Sequence, residues 1–289
     1  MPVFNMFDLD FSNFSIFLYF LHILLIGDIV KVILLYKKYI FFICLLAFIL
    51  LFIFLSFYSP FSFAIDFSSN SSLAVSLKDK MAHLTENDEK IAYLTFDDGP
   101  TLKATGKILD ILKKEDVKAT FFVIGKYVKN HPELVKRAYE EGHYIANHGY
   151  SHDNPKLYQS DESFISEVKN TDAEIGKAIG VDGYCSRIFR FPNGFMSPVY
   201  KSKKEEAAKL LSDMGYVYVD WNCLNKDSEQ KYSSTQLLQN LKNSCKNKGT
   251  LIVLMHDSLD VSDSSAVLKD SISFLRSQGY VFQNFYDLL

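Results

Sequence analysis

Ile91-Ala92-Tyr93-Leu94-Thr95-Phe96-Asp97-Asp98-Gly99-Pro100 is the stretch whose reading decides the fold. Its first four residues have the composition of a buried strand, and two acids fall where that strand ends and a loop begins. Side chains alternate in direction there, so one carboxylate can hold a cation while the other handles a proton. The same residues also fit a solvated Asp-Gly-Pro turn after an edge strand. The rest of the chain has to decide between the two.

Downstream, short apolar runs alternate with helical patterns, and no internal repeat appears. Strands are predicted at 91–95, 119–124, 143–147, 188–191, 216–221, 251–255 and 280–282. Helices are predicted at 132–141, 161–179, 203–214, 235–246 and 265–277, with Pro132 in a first turn. Gly142, Gly180, Gly215, Gly249 and Gly279 fall at or soon after helix ends, where a left-handed cap is needed. Seven strands separated by helices imply a parallel α/β sheet, closed as a barrel or open and doubly wound.

Upstream the composition changes. Residues 39–58 carry no charge and match the length a helix needs to cross a bilayer, so they read as a transmembrane anchor or signal segment. Lys31, Lys37 and Lys38 precede it, which keeps residues 1–38 cytoplasmic and sends the remainder outside. A weaker apolar run at 11–26 is a second candidate span. Ser62-Phe63-Ala64 has the form of a cleavage site; cleavage there would secrete the domain, whereas the length of the apolar core favours a retained anchor. Residues 59–90 read as a linker, rich in Ser, Asn and charge beyond Asp66, and 91–289 as the domain it carries.

The 289 residues have a formal net charge of -3 and no basic stripe, which argues against a nucleic-acid partner. Of the four cysteines, Cys44 lies in the apolar segment, and Cys185, Cys223 and Cys245 lack the spacing of a thiolate metal site or a disulfide framework. They read as small core residues.

Polar residues with chemical potential recur at the predicted strand ends. Asp97 and Asp98 follow the first strand, and His148 and His152 follow the third. Arg190, Pro192 and Asn193 end the fourth, Asp220-Trp221 the fifth, and Leu254 and His256 the sixth. In parallel α/β folds that edge collects the ligand-binding loops. Two imidazoles, one carboxylate and a water make the ligand set of a catalytic zinc site, and Asp98 supplies the third ligand in this reading. His131 and His143 read as structural histidines.

Taken in order, Thr95-Phe96-Asp97-Asp98-Gly99-Pro100, the His148-x-x-x-His152 pair, Arg190-x-Pro192, Asp220-Trp221 and Leu254-x-His256 resemble the five motifs of the polysaccharide deacetylases, the NodB-homology carbohydrate esterases. The resemblance covers residues 91–289. It implies a distorted (β/α)7 barrel and a hydrolase that removes acetyl groups from N-acetylated sugars with one divalent metal, usually Zn2+. By the same resemblance Asp98, His148 and His152 hold the metal, and Asp97 is the general base, paired with Arg190. His256 is the general acid, oriented by Asp220, and the Asn193 N–H donates to the oxyanion. Trp221 and Leu254 line the pocket beside Pro192.

Two positions depart from the family pattern. Gly149 stands where Ser or Thr is usual, and Asn193 where an aromatic residue is common, which affects the histidine loop and the groove lining respectively. The expected substrate is an N-acetylglucosamine polysaccharide, peptidoglycan first. Chitooligosaccharides, another exopolysaccharide or xylan are the alternatives, as is a non-catalytic glycan-binding domain.

Overall fold

The computed structural model describes residues 71–258 and 263–289, all of them in a unit that runs from Asp66 to Leu289. The expected membrane segment at 39–58 and the run at 11–26 lie outside the described residues; among those described, no helix is long and apolar enough to cross a membrane.

The strands are β1 (Ile91–Asp97), β2 (Thr120–Val123), β3 (Tyr144–Asn147), β4 (Ile188–Phe189), β5 (Val217–Tyr218), β6 (Cys223–Leu224), β7 (Leu251–His256) and β8 (Val281–Gln283). Every pairing is parallel. Their order is β5-β4-β3-β2-β1-β7-β6, with β8 also on β1. β1 shares one edge between two partners: Ile91 to Tyr93 pair with β8, and Thr95 to Asp97 with β2.

The strand predicted at 216–221 is shorter, β5 alone, and a further strand, β6, follows beyond the predicted range. β5 pairs with β4, and the chain then crosses to the other end of the sheet and pairs as β6 with β7. Asn222 makes the join: its N–H donates to Ile252 O, and its side-chain amide bridges Thr250 O and Ile252 N. The link has a geometric consequence. A flat sheet would hold β5 and β6 six strand spacings apart, about 29 Å. The five residue steps from Tyr218 to Cys223 reach about 17 Å when fully extended. The sheet must therefore curl, and it forms a distorted parallel α/β barrel, as expected, but one that is open between β5 and β6 and has eight strands where seven were predicted.

The helices are α1 (Ser71–His83), whose Leu77 and Met81 join the interior cluster, α2 (Thr105–Lys114), α3 (Gly125–Asn130), α4 (Pro132–Glu140), α5 (Asn154–Leu157), α6 (Asp161–Ile179), α7 (Lys201–Asp213), α8 (Ser234–Ser244) and α9 (Ser265–Ser277). Local chemistry sets their ends. Ser160 caps the start of α6 by accepting from Ser163 N, and Gly180 closes it in the left-handed region. Ser233 and Gln236 form a capping box on α8. The expected linker contains α1, whose Leu77 is buried and whose exit leads to buried Leu84. Leu77, Met81 and Leu84 recur at i, i+4 and i+7 within an otherwise polar segment, so the composition concealed one apolar stripe.

Strand alternation sorts the core. Ala92, Leu94 and Phe96 of β1 pack outward with α2, as do Leu251, Val253 and Met255 of β7. Tyr93 and Ile252 point inward, where Phe122, Tyr144, Phe285 and Leu288 fill the interior. The same period of two turns Asp97, Arg190 and His256 inward at the carboxyl ends of their strands. Cys223 and Cys245 are buried free thiols in the outer core, in keeping with their reading as small apolar residues.

Candidate active site

Asp97 ends β1 at a buried position, and Asp98 turns out of the strand with φ 75°. His152 also sits in the left-handed region, at φ 54°. Non-glycine residues held there carry local strain that the surrounding structure must over-determine, and such strain clusters at functional sites. These turns aim the Asp98 carboxylate at both histidines: Oδ1 lies 3.5 Å from His148 Nε2 and 3.3 Å from His152 Nε2.

One ligand atom from each of Asp98, His148 and His152 falls within 4.8 Å of the other two. Asp98 Oδ1 is buried without a hydrogen-bond partner, as an oxygen reserved for a cation would be. His148 Nδ1 lies 2.7 Å from the Arg190 carbonyl, to which it donates, and this leaves Nε2 with its lone pair toward Asp98. The residues therefore fit a divalent metal ion. Burial works against the Asp98 charge, but the close approach of His148, with His152 and His256 behind it, holds its carboxyl well below the usual range. Burial likewise opposes a charge on His148, yet Asp97 and Asp98 raise its pKa. His152 is lowered, by burial and by the neighbouring His148.

The expected pairing of Arg190 with Asp97 is present. Arg190, fully buried, donates from Nη1 to Asp97 Oδ1 at 2.8 Å and to Thr95 Oγ1 at 2.7 Å. Its guanidinium lies 4.0 Å from the Phe122 ring centroid, and its other nitrogens reach the Val219 and Asp220 carbonyls. Both position and orientation of the Asp97 carboxylate are thus set by a planar, fixed donor.

Asp220 does not orient His256. Its two carboxylate oxygens accept from Phe195 N at 2.8 Å and Met196 N at 2.9 Å, and so hold the loop after Asn193. The residue beside His256 is Asp227, 2.7 Å from Nδ1, with its second oxygen accepting from the His256 amide at 2.8 Å. Ser264 also donates to Asp227, and Asn225 orders the turn before it. Burial lowers the His256 pKa, but the Asp227 hydrogen bond and charge outweigh it, with Asp97 and Asp98 adding to the effect, and the ring is pushed up to about 9. His256 Nε2 then faces the cluster, 4.0 Å from Asp98 Oδ2.

The sequence drew attention to Asp220 because an acid precedes the one tryptophan at a strand end. The crossover from β5 to β6 places Asp227, seven residues later, under β7 instead; an acid after a second strand was the only signal, and that strand was not predicted. Asn193 lies at φ 66° and accepts from Asn154 Nδ2 at 2.9 Å. Trp221 packs on Gly194, where a Cβ would come within 2.8 Å of the indole. Pro192 and Leu254 are both buried. His143 is structural as expected: it accepts from Ala119 N, and burial pushes it down to about 4.

Residues 85–219 match the family model for polysaccharide deacetylase. A peptidoglycan-N-acetylglucosamine deacetylase of Bacillus cereus is 35% identical over 207 residues, covering 69% of this chain and 71% of its own. The chain belongs to the polysaccharide deacetylase family. Membership makes it a hydrolase of the amide bonds of N-acetyl groups. The peptidoglycan-N-acetylmuramic acid deacetylase PdaA of Bacillus subtilis is 32% identical, over 72% of this chain and 74% of that protein. Among solved structures, the catalytic domain of a peptidoglycan N-acetylglucosamine deacetylase from Eubacterium rectale superposes with a TM-score of 0.62 at 32% identity, covering 69% of this chain and 90% of the other.

Proposed function

We propose that this protein is a zinc-dependent deacetylase acting on N-acetylglucosamine units of a cell-wall polysaccharide, peptidoglycan first. The observation that carries the reading is the buried, unpartnered Asp98 oxygen facing His148 and His152, flanked by the Arg190-held Asp97 carboxylate and the Asp227-held His256 ring. A glycan-binding module would need neither the Arg190–Asp97 pair nor the Asp227–His256 pair.

Asp98, His148 and His152 would hold the metal, which when bound lowers the pKa of a water and polarises the amide carbonyl. Asp97 takes the proton of the attacking water through the oxygen that Arg190 leaves free. The Asn193 N–H donates to the developing oxyanion. His256 gives its Nε2 proton to the departing amine, while Asp227 holds Nδ1 and keeps the ring charged until transfer. Asp220, through Phe195 and Met196, shapes the wall on which the sugar rests.

The domain is proposed to face outward from the membrane on the anchor at 39–58, which would place this site against the cell wall. The test is acetate release by the full chain from purified peptidoglycan and from chitooligosaccharides. Faster release from peptidoglycan is expected; release from chitooligosaccharides alone would move the assignment to that alternative. Saccharide binding without release from either would leave a binding module.

A further inference from the structure

The loop that presents both histidines has no regular secondary structure, yet each backbone polar group from Gly149 to Ser151 has a partner. Gly149 N donates to Asn147 Oδ1 at 2.9 Å, and Asn147 is in turn held by Val168 O and Asp172 on α6. The carbonyls of Gly149 and Tyr150 each accept at 3.0 Å, from Gly125 N and Lys126 N on α3, and Ser151 O accepts from Lys126 Nζ at 2.7 Å. The two N–H groups that remain, of Tyr150 and Ser151, both donate to a single oxygen, Glu167 Oε2, each at 2.7 Å.

Glu167 lies on α6, 15 residues beyond His152 in sequence. A Cβ placed on Gly149 would lie 3.6 Å from the same Glu167 oxygen, so the carboxylate stands beside the position where the family usually has a hydroxyl residue. Two hydrogen bonds from successive amides to one acceptor fix the direction of the chain between His148 and His152 at two points, where a single hydroxyl would hold it at one.

We infer that Glu167 is a positioning residue for the metal site: its carboxylate clamps the Tyr150 and Ser151 amides and so sets the separation of His148 from His152, in place of the serine or threonine that Gly149 replaces. The inference rests on the metal-site reading above. It concerns length and geometry, not charge. Glutamine keeps the reach of glutamate and an acceptor oxygen, whereas aspartate keeps the charge but is one methylene too short to reach both amides.

The test is Zn2+ affinity of the full chain, measured by chelator competition, together with the absorption band of bound Co2+, for wild type, Glu167→Gln, Glu167→Asp and Glu167→Ala. Loss of an outer partner of a metal site weakens binding by about 10- to 100-fold. That loss, with a displaced Co2+ band, is expected for Asp and Ala, while Gln stays within about threefold of wild type. The melting temperature of the chelated proteins controls for a general loss of fold, and if Ala fails to fold, the Gln and Asp pair still decides. Aspartate binding better than glutamine would mean that charge near the metal, not the clamp, is at work and would overturn the inference. So would affinities and Co2+ bands equal in all four proteins. Wild type that binds no Zn2+, or binds it equally after His148→Ala, would instead defeat the metal-site reading itself.

Discussion

Replacing Asp227 with asparagine should pull the basic limb of the pH–rate profile sharply toward neutrality. The His256 ring sits at about 9 against an ordinary 6.5, although burial alone would lower it, and the hydrogen bond and charge of Asp227 are the leading causes of the rise. Asparagine preserves the shape and an acceptor for Nδ1 but removes the charge. If the ring falls back to about 6.5, its protonated fraction at pH 8 drops from ~0.9 to ~0.03, a loss of ~30-fold in the available general acid. Activity should recover as the pH is lowered toward 6. A bound cation shifts both proteins in the same direction, so the displacement between them is the quantity predicted. The assay is acetate release from a chitooligosaccharide, with kcat/KM followed from pH 5 to 10. Asp220→Asn is the comparison: it loosens the Phe195–Met196 amides and should raise KM while leaving the basic limb in place. A limb that moves in Asp220→Asn and stays fixed in Asp227→Asn would refute the assignment.

Three further outcomes are expected. Arg190→Met leaves the buried Asp97 charge without its partner, a loss of about 3–5 kcal/mol, and should lower Tm by on the order of 10 °C by calorimetry. Gly99→Ala drives a Cβ to 1.9 Å from Asp257 Oδ2, backed against Thr105 by a 2.6 Å hydrogen bond. Overpacking there should lower Tm by an amount equivalent to about 1–3 kcal/mol. In chelated protein, the raised His256 contributes stability that is fully present below pH 6.5 and is lost as pH rises through about 9. The loss is up to ~3 kcal/mol, so the Tm advantage of wild type over Asp227→Asn at pH 6 should vanish by pH 10.

Much of this was legible in the amino-acid order because strand ends in a parallel sheet are also where the chemistry collects. The apolar run into Asp97-Asp98, the histidines after β3 and Arg190 after β4 needed only the period of two and the rule that the carboxyl edge binds ligands. α6 and α9 were predicted residue for residue, since a serine cap or a glycine stop marked their ends and their apolar faces are continuous. What escaped was set by tertiary contact. Nothing local distinguishes the two-residue strands β5 and β6 from one longer strand, because the break exists only where Asn222 meets β7. That break is what exchanges Asp220 for Asp227 at His256. α1 escaped because its buried stripe is narrow, and Glu167 because its value lies in two amides that belong to another segment of chain.

The division of labour between Asp97 and Asp98 is the centre of the account, and one variant separates them. Asp97→Asn, loaded with zinc and assayed for acetate release from N-acetylated glycan, should bind Zn2+ within about twofold of wild type. The account predicts a rate reduced by about 10²- to 10⁴-fold, the usual contribution of a positioned general base. Near-normal turnover in that protein, or loss of Zn2+ along with the activity, would contradict it.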